Sequence, residues 1–139
     1  MSVKEIEKNI IEDFDLFDDW TEKYQYIIEL GEKLGQIPEE KKTDENKVKG
    51  CQSSVWLISS FENGSVKFIG DSDSSIVKGL VALLIRVLSN QTPDDIINAK
   101  LDFIDTIGLS QHLAQTRSNG LAAMVKQMKL DALAYKSKK

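Results

Sequence analysis

The stretch Val55-Trp56-Leu57-Ile58-Ser59-Ser60-Phe61-Glu62-Asn63-Gly64-Ser65-Val66-Lys67-Phe68-Ile69 decides the fold. Its two ends are rich in branched and aromatic side chains, which suit a pleated, half-buried strand. Asn63-Gly64 between them supplies the positive φ angles of a tight turn, so the stretch reads as an antiparallel hairpin. Downstream, Asp71 to Ser75 offers several N-cap side chains for a helix through Leu88. In that helix Ile76, Val77, Leu80, Val81, Leu83, Leu84, Val87 and Leu88 leave only a narrow polar strip, which predicts the most buried helix of the chain. Thr92-Pro93, a cap followed by proline at the first helical position, opens a short helix. A last helix is expected from Arg117 or Ser118, with Leu121, Met124, Val125, Met128 and Leu133 on its inner face.

Upstream, Ile6, Ile10, Ile11 and Phe14 share one face of a first amphipathic helix. A second opens at Asp19 with Glu22 as capping-box partner, carries the stripe Trp20, Tyr24, Ile27, Ile28 and Leu34, and meets a stop at Gly35. Pro38 to Gly50 reads as a long polar loop in which Val48 is the only aliphatic side chain. Loops of that length are functional more often than short connections are. The expected architecture is α+β: helices packed on one face of a small antiparallel sheet, with a third strand that the pattern does not locate. No repeat or linker divides the chain, so residues 1–139 are expected to form a single domain.

Composition narrows the function. A formal net charge of -4, from 22 acidic and 18 basic residues, argues against a nucleic-acid binder, whose phosphate affinity needs clustered cations. The lysines that do cluster, Lys136, Lys138 and Lys139, read as a solvated basic tail over 136–139. The longest apolar run, Gly79 to Ile85, is far short of the about 20 residues that span a bilayer, so no membrane partner is expected. The N-terminus carries Glu5, Glu7, Glu12 and Asp13, unlike basic targeting segments. One cysteine and one histidine make neither an internal disulfide nor a four-ligand zinc site, and the lone thiol fits a reducing, cytoplasmic setting with no metal.

That cysteine, Cys51, sits in Lys47-Val48-Lys49-Gly50-Cys51-Gln52-Ser53-Ser54, where the polar loop meets the first strand. Gly50 permits backbone geometry closed to other residues. Lys47 and Lys49 place positive charge where it would favour the reactive thiolate. The bland alternative is a buried free cysteine filling space as a small hydrophobe. His112 allows a second story, a nucleophile–base pair with Cys51, although no third residue is evident to orient the ring. Asp71 and Asp73 resemble an acidic pair, but capping of the following helix is the favoured reading. Trp20 and Trp56 stand among apolar neighbours and read as core.

At these residues the sequence resembles the SufE family, the sulfur acceptors of iron–sulfur cluster assembly. Four blocks carry the resemblance: Trp20 with Glu22-Lys23-Tyr24 and Tyr26-Ile27-Ile28-Glu29-Leu30-Gly31; Gly50-Cys51-Gln52-Ser53 with Val55-Trp56; Gly70-Asp71-Ser72-Asp73 with Ile76-Val77-Lys78-Gly79-Leu80; and Gln111-His112-Leu113 with Arg117-Ser118-Asn119-Gly120-Leu121. They span the chain from about Trp20 to Leu133, while the N-terminal helix within 1–18 and the basic tail match only loosely. Asn119, where the family pattern leads one to expect glutamine, is a mild departure.

The resemblance implies an α+β sandwich and a sulfur acceptor and carrier. Cys51 would take persulfide sulfur from a SufS-type or Csd-type cysteine desulfurase, stimulate that enzyme, and pass sulfur to a scaffold such as a SufBCD-type complex. It implies a sulfur-transfer protein working through a cysteine persulfide rather than a stand-alone enzyme, with no cofactor of its own, since pyridoxal phosphate belongs to the desulfurase. It also implies that Cys51 is sheltered at rest, and that Gly50, Gln52, Asp73 and Arg117 face the partner or hold the loop. Two other readings stay open: a Cys51–His112 nucleophilic enzyme, and a non-catalytic adaptor that binds a desulfurase.

Overall fold

The computed structural model describes residues 1–137, so Lys138 and Lys139 of the basic tail lie outside the described residues. The hairpin forms as expected. Strand β1, Val55–Glu62, pairs antiparallel with β2, Ser65–Ser72, from Val55 opposite Ser72 to Glu62 opposite Ser65. Asn63 and Gly64 make the turn with φ of 51° and 82°. Val55, Leu57, Val66 and Phe68 turn inward and are buried, as the two-residue period of a strand requires.

Seven helices accompany this hairpin among the described residues. They are α1 (Val3–Asp15), α2 (Trp20–Leu34), α3 (Ser75–Leu88), α4 (Pro93–Asn98), α5 (Phe103–Thr106), α6 (Leu109–His112) and α7 (Gln115–Ser137). The α+β class is therefore observed. Helix α3 is the spine: Leu80, Val81, Leu83, Leu84, Val87 and Leu88 are each no more than 1% exposed, and burial of one such side chain contributes roughly 1.5–3 kcal/mol. Gly79 brings α3 against α2 so closely that a Cβ there would overlap the Ile27 carbonyl. Ile10 and Phe14 of α1 and Ile27 of α2 complete that side of the core. No helix among the described residues is long and apolar enough to cross a membrane.

Several expectations need correction. The sheet has two strands among the described residues, not three. The polar segment before Cys51 contributes only a bridge, Lys47 opposite Trp56, and a second bridge joins Val66 to Gln91. Physically, that segment has no alternating apolar face to bury, with Val48 as its sole buried anchor beyond Ile37. It forms a 3-10 turn at Glu39–Lys41 and is otherwise irregular. Helix α3 is capped by Ser74, whose side chain accepts from the Val77 amide, while Asp71 and Ser72 belong to β2. At α2 Asp19 accepts from the Glu22 amide, the forward half of the expected box.

Helix α7 begins at Gln115, earlier than expected, and Leu133 is 50% exposed, with Ala132 buried in its place. At 100° per residue, Ala132 lies about 20° from Leu121 around the helix and Leu133 about 120° away. Trp56 is half-buried under the Lys42 ammonium rather than in the core.

Candidate functional site

Cys51 rides on a short loop closed at its base. The Val48 amide donates to the Val55 carbonyl at 2.8 Å, and the Leu57 amide to the Asn46 carbonyl at 2.8 Å, so residues 49–54 form a compact bow that packs against α7 at Gly120 and Ala123. Gly50 turns the bow with φ of 93°, a value that strains any side-chain-bearing residue, and it lies close to Ala123 of α7. On the far side Ser54 is fastened three times: its amide donates to the Asp73 carboxylate at 3.1 Å, and its carbonyl accepts from the Ser72 hydroxyl at 2.7 Å and from the Asp73 amide at 3.3 Å.

The thiol itself is half-buried, with Sγ 3.6 Å from the Gly120 carbonyl of α7, to which it donates a weak bond. Gly120 matters here because it lacks a side chain: a Cβ would rest 3.5 Å from Sγ. Beside the sulfur lies a cavity of about 230 Å³ lined by the buried Val77, Leu80 and Met124 and, where it meets solvent, by the exposed Gln52, Thr116 and Arg117. At about 30 Å³ of liquid volume per water, that space holds several water-sized atoms.

Burial pushes the Cys51 thiol above its ordinary value of 9.0. The expectation that Lys47 and Lys49 favour a thiolate is therefore not met: both side chains are exposed to solvent, where their charge is screened. At rest the sulfur is sheltered against α7, where burial disfavours the thiolate.

The other predicted residues distribute as follows. Gln52 and Arg117 sit at the cavity mouth, and Arg117 makes no ion pair among the described residues. Asp73 holds the loop through Ser54. His112 is engaged elsewhere: its ring stacks on Trp20 with centroids 4.1 Å apart, its Nδ1 is 2.9 Å from the Gly108 carbonyl, and its own carbonyl accepts from the Tyr24 hydroxyl. It does not line the Cys51 cavity, and no hydrogen bond joins the two side chains among the described residues. The geometry gives the nucleophile–base pair no footing.

Asp71, expected to cap α3, is instead a buried carboxylate 3.2 Å from Lys78 and 3.6 Å from Lys42. Burial alone would raise its pKa. The Ser72 amide, the Lys78 ammonium and the Ile37 amide outweigh that effect and hold it below the ordinary 3.8. Sequence reasoning missed the roles of Gly120 and of the cavity wall. A glycine inside a helical pattern was the available signal, since it marks close approach of another group.

The whole arrangement has relatives. An uncharacterised SufE-like protein of Rhizobium meliloti (strain 1021) is 41% identical, over 88% of this chain and 91% of the relative. Another, from Rhizobium etli (strain ATCC 51251), is 45% identical over 88% of this chain and 86% of its own length. The solution structure of a hypothetical protein from Thermus thermophilus superposes with a TM-score of 0.76 over 93% of this chain and 94% of that one; at 20% identity the likeness is one of fold. The sequence pattern described as "SufE: Fe-S metabolism associated domain" matches residues 8–132, which takes in the Cys51 bow, the fastenings of Ser54 and the α7 wall of the cavity. With that match and those relatives, the chain belongs to the SufE family, associated with Fe–S metabolism.

Proposed function

We propose that this protein carries sulfur on Cys51, receiving it from the persulfide of a SufS-type cysteine desulfurase and delivering it to an Fe–S scaffold of the SufBCD type. The observation that supports this best is the sulfur's setting: a lone, half-buried cysteine on a short bow, lining a cavity with room for added sulfur. In the transfer step the Cys51 thiolate attacks the outer sulfur of the donor persulfide. The donor's S–S bond breaks, a new S–S bond forms at Cys51 Sγ, and the donor cysteine leaves as a thiolate. No external oxidant or reductant is consumed.

The raised pKa of the sheltered thiol fits a carrier that is inert until engaged, because attack needs both a thiolate and access to the donor sulfur. Arg117 and Gln52 at the cavity mouth, with Gly50 at the bow, are the surface a desulfurase would meet first. Asp73 acts through Ser54, keeping the outgoing arm of the bow in place. Pyridoxal phosphate belongs to the desulfurase in this scheme, and this chain supplies the acceptor sulfur.

The test is sulfide release by a cysteine desulfurase supplied with cysteine and this protein. The wild type should raise turnover, and Cys51→Ser should bind the desulfurase without doing so. Equal stimulation by Cys51→Ser would instead establish a non-catalytic adaptor.

A further inference from the structure

Among the described residues, Asp71 is a buried charged side chain that sulfur transfer does not use; it is 2% exposed. It stands cross-strand from Trp56 at the end of β2. Its Oδ1 accepts from the Ser72 amide at 2.8 Å and lies 3.2 Å from Lys78 Nζ on α3. Its Oδ2 faces Lys42 Nζ at 3.6 Å, and the Ile37 amide also favours the charged carboxylate. Lys42 also sits 5.5 Å above the Trp56 ring and 3.3 Å from Glu39. One carboxylate thus gathers β2, α3 and the irregular segment that leads to the cysteine.

From Lys42 the chain runs directly through Asn46 and Val48, both bonded to β1, into the Cys51 bow. The outgoing arm of the bow is fastened at Ser54 by Ser72 and Asp73. Asp71-Ser72-Asp73 therefore ties down, from one place, the outgoing end of the bow at Ser54 and the segment that leads into it at Lys42. Separating Lys42 leaves Lys78 on Oδ1 but takes the cation from the buried Oδ2, so the Asp71–Lys42 tie resists separation more than an exposed ion pair would.

We infer that Asp71 is a positioning residue: through Lys42 it holds the incoming arm of the Cys51 bow against the sheet and so governs how readily the thiol leaves its shelter beneath Gly120. The consequence for sulfur transfer rests on the carrier reading above, whereas the anchoring itself can be measured with no desulfurase present.

The experiment is the rate of Cys51 alkylation by iodoacetamide in the full chain at neutral pH, followed by intact mass. Asp71→Asn should speed alkylation about tenfold, as local opening of the bow becomes more frequent. Lys42→Met, which leaves the Lys78 pair intact, should give a smaller rise, and Asp71→Glu should return the rate toward that of wild type. The acceleration should change little in dilute urea, because local opening exposes little surface. Unchanged rates in Asp71→Asn and Lys42→Met would overturn the inference. So would a rise that grows steeply with urea, the mark of global loosening. Should Asp71→Asn fail to fold, Lys42→Met decides alone. Fast alkylation in a protein that never loads sulfur would keep the anchor and remove the carrier.

Discussion

Two glycine-mediated contacts differ sharply. Where α2 crosses α3, a Cβ on Gly79 would overlap the Ile27 carbonyl, and one on Gly31 would lie 2.7 Å from the Gly79 amide nitrogen. Where the Cys51 bow meets α7, a Cβ on Gly120 would rest at 3.5 Å from Sγ, an ordinary van der Waals distance, with a cavity of about 230 Å³ alongside. The first contact is backbone against backbone and cannot yield. The second leaves slack around one sulfur atom. The difference teaches that the scaffold beneath the site is fixed by shape, whereas the site keeps unfilled volume that a better-packed core would have closed.

The sharpest way to break that contrast is to add one methyl group to each side. Gly79→Ala should lower stability by about 3 kcal/mol in urea denaturation, because neither helix backbone can move aside without disturbing the α3 core. A loss below about 1 kcal/mol would mean that the crossing is more compliant than its geometry implies.

An intermediate effect is expected at His112. Its imidazole belongs to the fixed side of the molecule, stacked on Trp20, so His112→Ala should cost about 1 kcal/mol and leave sulfur loading at Cys51 unchanged. Loss of loading with little loss of stability would restore the nucleophile–base reading.

Gly120→Ala should be milder still, within about 1 kcal/mol of wild type, since the gain in helix propensity offsets the tighter contact with Sγ. A loss as large as that of Gly79→Ala would erase the distinction between the two contacts.

The smallest effect should appear with pH. Burial raises the Cys51 pKa, so the native state keeps its proton at a pH where the unfolded chain has lost it. That contribution is fully present below the ordinary value of 9.0 and is lost as pH rises through the higher native value. On the alkaline side of pH 9, wild-type stability should fall more steeply than that of Cys51→Ala. Parallel curves would place the thiol in a more solvated setting than the structure gives it.

Much of this was legible in the residues. Asn63-Gly64 and the apolar run of α3 were readable because turn geometry and helical periodicity are local properties. Cys51 stood out by its uniqueness, its glycine neighbour and its loop position. What stayed hidden depends on contacts distant in sequence. Asp71 looked like a cap, because the sequence does not show that Lys42 and Lys78 converge on it and draw it into β2. The lysines beside Cys51 suggested a thiolate, because solvent exposure of a charge and burial of a thiol are both tertiary facts. The missing third strand has the same origin: a polar segment gives no period, and its few bonds to β1 are set by the packing of Ile37 and Val48.

The central claim is that Cys51 accepts sulfur, and intact-protein mass spectrometry tests it most directly. The unreduced protein would be incubated with a SufS-type desulfurase, pyridoxal phosphate and cysteine, with Cys51→Ser in parallel. The account predicts a mass gain of one or more sulfur atoms that vanishes on thiol reduction and never appears in Cys51→Ser. A gain that persists in Cys51→Ser, or no gain beside a desulfurase shown to be active in the same tube, would contradict it.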